Sequence, residues 1–220
     1  MFYLYIVNQL KTKDIKIMGT RHLIMVVHEE KTKIAQYGQW DGYPEGQGVT
    51  VLNFARKMKL DKFKEALKKV RFATKADDKK KDAFLKSIGC KGGWMDMDQA
   101  AKYHDAFPYA SRDIGAGILD LVMNSTDKEI VLTDSTSFAG ESLFCEWAYV
   151  IDLDKNQLEV YSGFNKSPVG PEERFANAET DKDSEYGVIR FLKKYELDKL
   201  PTKRKFISEL TKREKEVSCV

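Results

Sequence analysis

Cysteine is scarce in this chain of 220 residues, at three: Cys90, Cys145 and Cys219. An odd number without CxxC spacing excludes a disulfide framework and a paired-cysteine metal site, and points to free thiols in a reducing, cytoplasmic compartment. Long apolar runs are missing as well. The opening MFYLYIVNQLKTKDIKI places its apolar residues before its charges, the reverse of a signal peptide, and no uninterrupted apolar stretch approaches about 18 residues. Neither secretion, a membrane span nor a membrane partner is expected. Histidine is limited to His22, His28 and His104, with no metal-ligand spacing, so no metal site is expected. No Gly-Lys-Ser/Thr follows the glycines, which excludes a P-loop, and no cofactor motif is present. The net charge of +3 is too small to imply a nucleic-acid partner.

What is present is the composition of a packed globule, 42% hydrophobic and 32% charged. His22 to Glu29 and Thr32 to Tyr37 read as a strand hairpin. Val49 to Met58, Asp61 to Val70, Ala76 to Ser87, Asp98 to Ala106 and Ser111 to Met123 read as helices, the last with Ser111 as its N-cap. This helical excursion covers about residues 49–124. Period-two patterning returns at Ile130 to Thr133, Leu143 to Asp152, Gln157 to Phe164 and Tyr186 to Tyr195, with a polar surface loop from Asn165 to Glu185 and a terminal helix from Thr202 to Lys212. The predicted fold is a single α+β domain over residues 18–220. Its mainly antiparallel sheet is built from N- and C-terminal strands and covered by the helical middle.

The most distinctive segment, YGQWDGYPEGQG at Tyr37 to Gly48, lies between a strand and a helix. Its glycines permit close backbone approach to a ligand. Gly46 and Gly48, at the helix start, are expected to offer free N–H groups to phosphate or carboxylate oxygens. Gln39, Asp41 and Glu45 supply polar groups, and Trp40 and Tyr43 supply flat surfaces for stacking. The bland alternative is a well-packed strand-to-helix turn.

Leu143 to Asp152 is apolar on both faces, which predicts a central strand, and alternation would bury Glu146 beside Phe144, Ala148 and Val150. A carboxylate so placed is either a structural ion pair or a perturbed acid with a function. His22 has a similar setting, with Thr20 and Arg21 just before its strand. Arg112, in SRDIGAGILDLV, could pair with Glu146 or with an anionic ligand. DLDKNQLEVYSG begins like a calcium loop but has Gln157 and Gly163 where glycine and glutamate are needed, and reads as a hairpin turn. Cys90 reads as a free thiol. Arg56 to Lys81 carries 12 Lys/Arg against 4 Asp/Glu, a solvated basic surface or a partner surface.

Met18, Thr20 and Arg21, followed by Asp41, Gly42, Tyr43, Pro44 and Gly46, resemble the Met-x-Thr-Arg start and Asp-Gly-Tyr-Pro-x-Gly segment of a family of small phage, bacterial and fungal proteins. The later SRDIGAGIL, FCEWAYVIDLDKNQLEVYSGFN and LDKLP are also similar to fungal members, so the resemblance spans most of Met18 to Leu210. It implies a shared fold and assigns no reaction. It also implies that residues 1–17 are an extension or precede an alternative start.

Two readings of function follow. In the first, Thr20, Arg21, His22, the Gln39 to Gly48 loop, Arg112 and Glu146 converge on a pocket for a small, anionic, nucleotide-like ligand. Any reaction there would be a hydrolysis using His22, Asp41 and Glu146. In the second, the chain is a non-catalytic interaction protein, such as a phage-encoded inhibitor of a host protein or a protein that sequesters a signalling nucleotide in the host cytoplasm.

Overall fold

The computed structural model describes residues 19–90 and 94–218. The expected extension at 1–17 lies outside the described residues. The fold is α+β, around a five-stranded, mostly antiparallel sheet. β1 (His22–His28) and β2 (Lys31–Gly38) form the predicted hairpin. β5 (Trp147–Asp152) and β6 (Gln157–Ser162) form a second, and β7 (Arg190–Glu196) adds antiparallel to β6. The spatial order is β2-β1-β5-β6-β7, so the two hairpins meet through a parallel β1–β5 pair that joins His22 to Trp147. All six residues of β5 are buried, as a strand apolar on both faces requires at the centre of a sheet.

Alternation divides the sheet's side chains between two cores. Ile24, Val26, Tyr149, Ile151 and Val160 face a helical layer. That layer comprises α1 (Val49–Lys57), α2 (Leu60–Leu67), a later helix α5 (Gly117–Asn124) and the terminal α6 (Lys203–Ser218). Leu23, Met25, Ala148, Val150 and Tyr161 face the other way, beneath a 3-10 turn (Thr136–Gly140) and the connection between β6 and β7.

That connection is not the surface loop its polarity predicts. It buries Phe175 against Tyr161, at a centroid distance of 4.9 Å, and delivers Arg174 to two buried carboxylates. Arg174 Nε donates to Glu159 Oε2 at 2.8 Å and Nη2 to Glu159 Oε1 at 3.0 Å, while Nη2 also pairs with Asp152. Tyr161 completes the network by donating its hydroxyl to Glu159 at 2.8 Å, and burial with the Glu159 charge pushes that phenol well above its usual range.

The helical middle covers the sheet only in part. After β3 (Val70–Phe72), which pairs in parallel with β4 (Ile130–Leu132), the chain makes α3 (Lys75–Ser87) and α4 (Met97–Ala106). Neither helix contributes a residue to either core. They pack on each other through Phe84, Tyr103 and Phe107, with ring centroids 5.1 to 6.5 Å apart. Capping boxes at Thr74/Asp77 and Asp96/Gln99 start them. Arg71 ties the base of this arm by pairing with Asp77 at 2.7 Å and Glu129 at 2.9 Å.

Candidate functional site

Residues 19–21 enter β1 between two other segments and hold them together. On one side, Gly42 N donates to the Thr20 carbonyl at 2.8 Å, and the Trp40 ring lies so close to Gly19 that a Cβ there would sit 2.2 Å from Cε3. On the other, Arg21 N donates to Glu146 Oε1 at 3.2 Å, and Glu146 N donates back to the Arg21 carbonyl at 3.2 Å. The distinctive loop and the approach to β5 therefore meet across three residues at one end of the sheet.

The loop itself is clamped by residues 111–116. Gln39 N donates to the Arg112 carbonyl at 3.2 Å, Trp40 Nε1 to Asp113 Oδ1 at 2.9 Å, and Ala116 N to Gln47 Oε1 at 2.8 Å. Gly115, at φ +51°, lies against the Gln47 amide, 2.7 Å from where a Cβ would be. This tight turn replaces the expected first turn of the helix: α5 begins at Gly117, and Ser111 accepts from Asp113 N and Gln36 instead of capping. Beneath the loop, the Tyr149 hydroxyl donates to the Gly42 carbonyl at 2.9 Å and the hydroxyl end of its ring lies close against Gly48.

Three sequence expectations need correction here. Gly46 N and Gly48 N do not point free at a ligand: both donate to the Tyr43 carbonyl, at 3.0 and 3.4 Å, within a π-helical turn (Pro44–Gly48), and Gly48 is buried. Glu146 is not a core carboxylate. The strand starts one residue later, because Phe144 N and Cys145 N both donate to the Glu141 carbonyl in a turn, which leaves Glu146 half-buried beside Arg21. Arg112 pairs with its neighbour Asp113 at 3.9 Å, not with Glu146, and its side chain is exposed.

The other predicted residues line this region. Asp41 adopts a left-handed φ of +57° and accepts from the Tyr43 hydroxyl at 3.1 Å; that bond and the adjoining charge raise the phenol. Gln39 accepts from Tyr37 at 2.5 Å, and Glu45 is exposed. Trp40 and Tyr43 are exposed, as are Leu143, Phe144 and Phe164, which gather at the same end of the sheet because they follow β2, precede β5 and follow β6.

His22 is completely buried. Its ring lies over its cross-strand partner Gly38, whose Cβ would stand 2.2 Å from Cε1 and Nε2, and Gly42 closes on its Cβ. Burial lowers its pKa to about 4, opposed weakly by the Thr20 backbone and the Asp41 charge, so it is neutral at pH 7. Neither ring nitrogen reaches hydrogen-bonding geometry with a described residue, the nearby Thr20 backbone included, and the Arg21 Nε is also buried without a partner. Among the described residues these three nitrogens are the buried side-chain polar atoms left unsatisfied, and all belong to two consecutive residues. Gly38→Ala would overpack this point and is expected to cost about 1–3 kcal/mol. Urea unfolding should show a smaller penalty when His22→Ala is made first; an equal penalty in both backgrounds would locate the strain elsewhere.

The Arg21 guanidinium stacks on the Phe144 ring, 4.8 Å from its centroid. Among the described residues it makes no ion pair. Beyond Phe144 opens a cavity of about 680 Å³, bounded by residues of 137–144 and 179–186. Arg21 and the loop carried sequence signals, whereas the clamp was concealed in a segment that reads as a helix N-terminus. The Arg174 network carried none, since a lone arginine in a polar stretch looks solvated.

No protein-family model, curated protein or solved structure matches the chain.

Proposed function

We propose that this end of the sheet binds a small, anionic, nucleotide-like ligand, with Arg21 as its principal contact. One observation carries the reading: a half-buried guanidinium with an unsatisfied Nε and, among the described residues, no carboxylate partner, amid exposed aromatic rings. An unpaired cation in partly desolvated surroundings is costly, and an anion that pairs with it recovers charge-assisted hydrogen bonds. Trp40, Tyr43 and Phe144 offer flat surfaces for a ring. If the ligand is turned over, hydrolysis suits the groups present, with Asp41 or Glu146 activating water. His22 would act only after Gly38 withdrew from its ring.

Protein purified from cells should carry an anionic small molecule, identified by mass spectrometry after heat release. Arg21→Gln should lower its occupancy roughly 10- to 100-fold, the worth of a lost hydrogen bond to a charged group, at an unchanged melting temperature. Equal occupancy in the variant would remove Arg21 from the site. An empty protein that co-purifies with one macromolecule would favour the second reading.

That second reading, a non-catalytic interaction protein, is favoured by the α3–α4 arm. It buries nothing in either core, yet leaves Trp94 87% and Met97 91% exposed. Charge reversal at Lys62, Lys68 and Lys69 on the neighbouring α2 surface would then abolish activity, while Arg21→Gln would spare it.

A further inference from the structure

The charges around Arg21 restrict what kind of anion it can hold. In residues 19–21, 38–48, 111–113 and 141–146 there are two arginines against five carboxylates, Asp41, Glu45, Asp113, Glu141 and Glu146. Arg112 is already beside Asp113, so among the described residues of these segments Arg21 is the cation left for a ligand. The 680 Å³ cavity beyond Phe144 has the volume of a small-molecule site. Glu141, Glu179 and Asp181 line it together with Leu143, Phe144 and Tyr186, and among the described residues no lysine or arginine does. The protein's own cations lie on its two aromatic walls, Arg21 over Phe144 and Lys166 over Tyr186, each 4.8 Å from the ring centroid. A ligand anchored at Arg21 and extending over Phe144 thus meets Glu141, Glu179 and Asp181, while Lys166 on the far wall is already paired with Glu185 at 2.9 Å.

We infer that the ligand carries a single negative charge at one end of a flat-ringed body that is otherwise neutral or rich in hydrogen-bond donors. A second or third anionic group would face Glu141, Glu179 or Asp181 at short range, where like charges repel. Donor groups on the body, such as a ring amine or sugar hydroxyls, would instead be accepted by those carboxylates. Polyphosphates are excluded by this arrangement, whereas a phosphodiester and a carboxylate both supply the single charge. This inference rests on the reading of Arg21 as the anion's contact.

The test is a calorimetric titration of the full chain, without magnesium, against four ring-bearing probes: adenosine 3′,5′-cyclic monophosphate, adenosine 5′-monophosphate, ATP and indole-3-carboxylate. At least one of the two monoanions should bind, with the 5′-monophosphate at least tenfold weaker than its cyclic diester and ATP weaker still. Which monoanion binds distinguishes phosphodiester from carboxylate. Combining Glu141→Gln, Glu179→Gln and Asp181→Asn should narrow the gap between monoanion and ATP, a result that a purely steric preference would not give. If ATP binds tightest and Arg21→Gln abolishes that binding, the charge restriction is wrong while Arg21 remains the anion contact. If none of the four binds at millimolar concentration, or binding is indifferent to Arg21→Gln, both statements fail.

Discussion

Arg174→Met should lose about 3–5 kcal/mol of folding stability, the largest single-site effect expected for this chain outside its apolar cores. Methionine keeps the side chain's length and apolar contacts but removes the only cation facing Asp152 and Glu159 among the described residues, which are 1% and 6% exposed. Breaking such a group from one side is costly because the remaining charges stay desolvated. Asp152 would be the less affected partner, since it also accepts from the backbone of Asp154 and Lys155 in the β5–β6 turn. Among the described residues Glu159 would keep only the Tyr161 hydroxyl. Adding Glu159→Gln to Arg174→Met should therefore recover part of the loss. Urea midpoints for the two variants measure both effects, and a penalty below about 1 kcal/mol for Arg174→Met would show that the network is effectively solvated. The same variant should expose the β6–β7 connection to proteolysis, because Arg174 and Phe175 are adjacent attachments of that segment to the sheet.

Acid should destabilise the fold through His22. Burial lowers this imidazole from 6.5, its value in an unfolded chain, to about 4. Between those values the unfolded chain takes up a proton that the folded one refuses, so the contribution is complete above pH 6.5 and lost as pH falls to 4. Each pKa unit is worth about 1.4 kcal/mol, so the loss is about 3 kcal/mol across the window. His22→Gln removes the titration. The fall in stability between pH 7 and pH 4.5 should then be smaller in the variant than in the parent, with carboxylate effects common to both. Parallel pH profiles would mean that His22 accepts its proton without leaving its place beneath the loop.

The two hairpins, the central position of β5 and the α+β class were legible in the sequence because each rests on local alternation or on short turns. The β1–β5 pairing was not, since no local pattern specifies which distant strand becomes a parallel neighbour. Glu146 was misplaced for a related reason. Apart from Glu146 and its final Asp152, Leu143 to Asp152 is apolar, and periodicity cannot show that its first residues are bent into a turn by the Glu141 carbonyl. The Gly46 and Gly48 amides illustrate another limit. Composition marks a loop as able to approach a ligand, but the same N–H groups can close on the loop's own Tyr43 carbonyl, as they do here. The role of SRDIGAG as a clamp was hidden behind a plausible N-cap, and its φ +51° glycine was the available clue.

The parallel pair at the middle of the sheet has a consequence for synthesis. Arg21 and Glu146, which bond across its opening, are 125 positions apart. While a ribosome is still translating the helical middle, β1 has its hairpin partner on one side and nothing on the other, with apolar side chains on both faces. Such a nascent hairpin offers an unpaired edge to any neighbouring chain, and long-range closure of this kind is slow. The order in which the chain is made therefore leaves β1 waiting long for completion, and places the burden of shielding it on the cell until Trp147 to Asp152 has emerged.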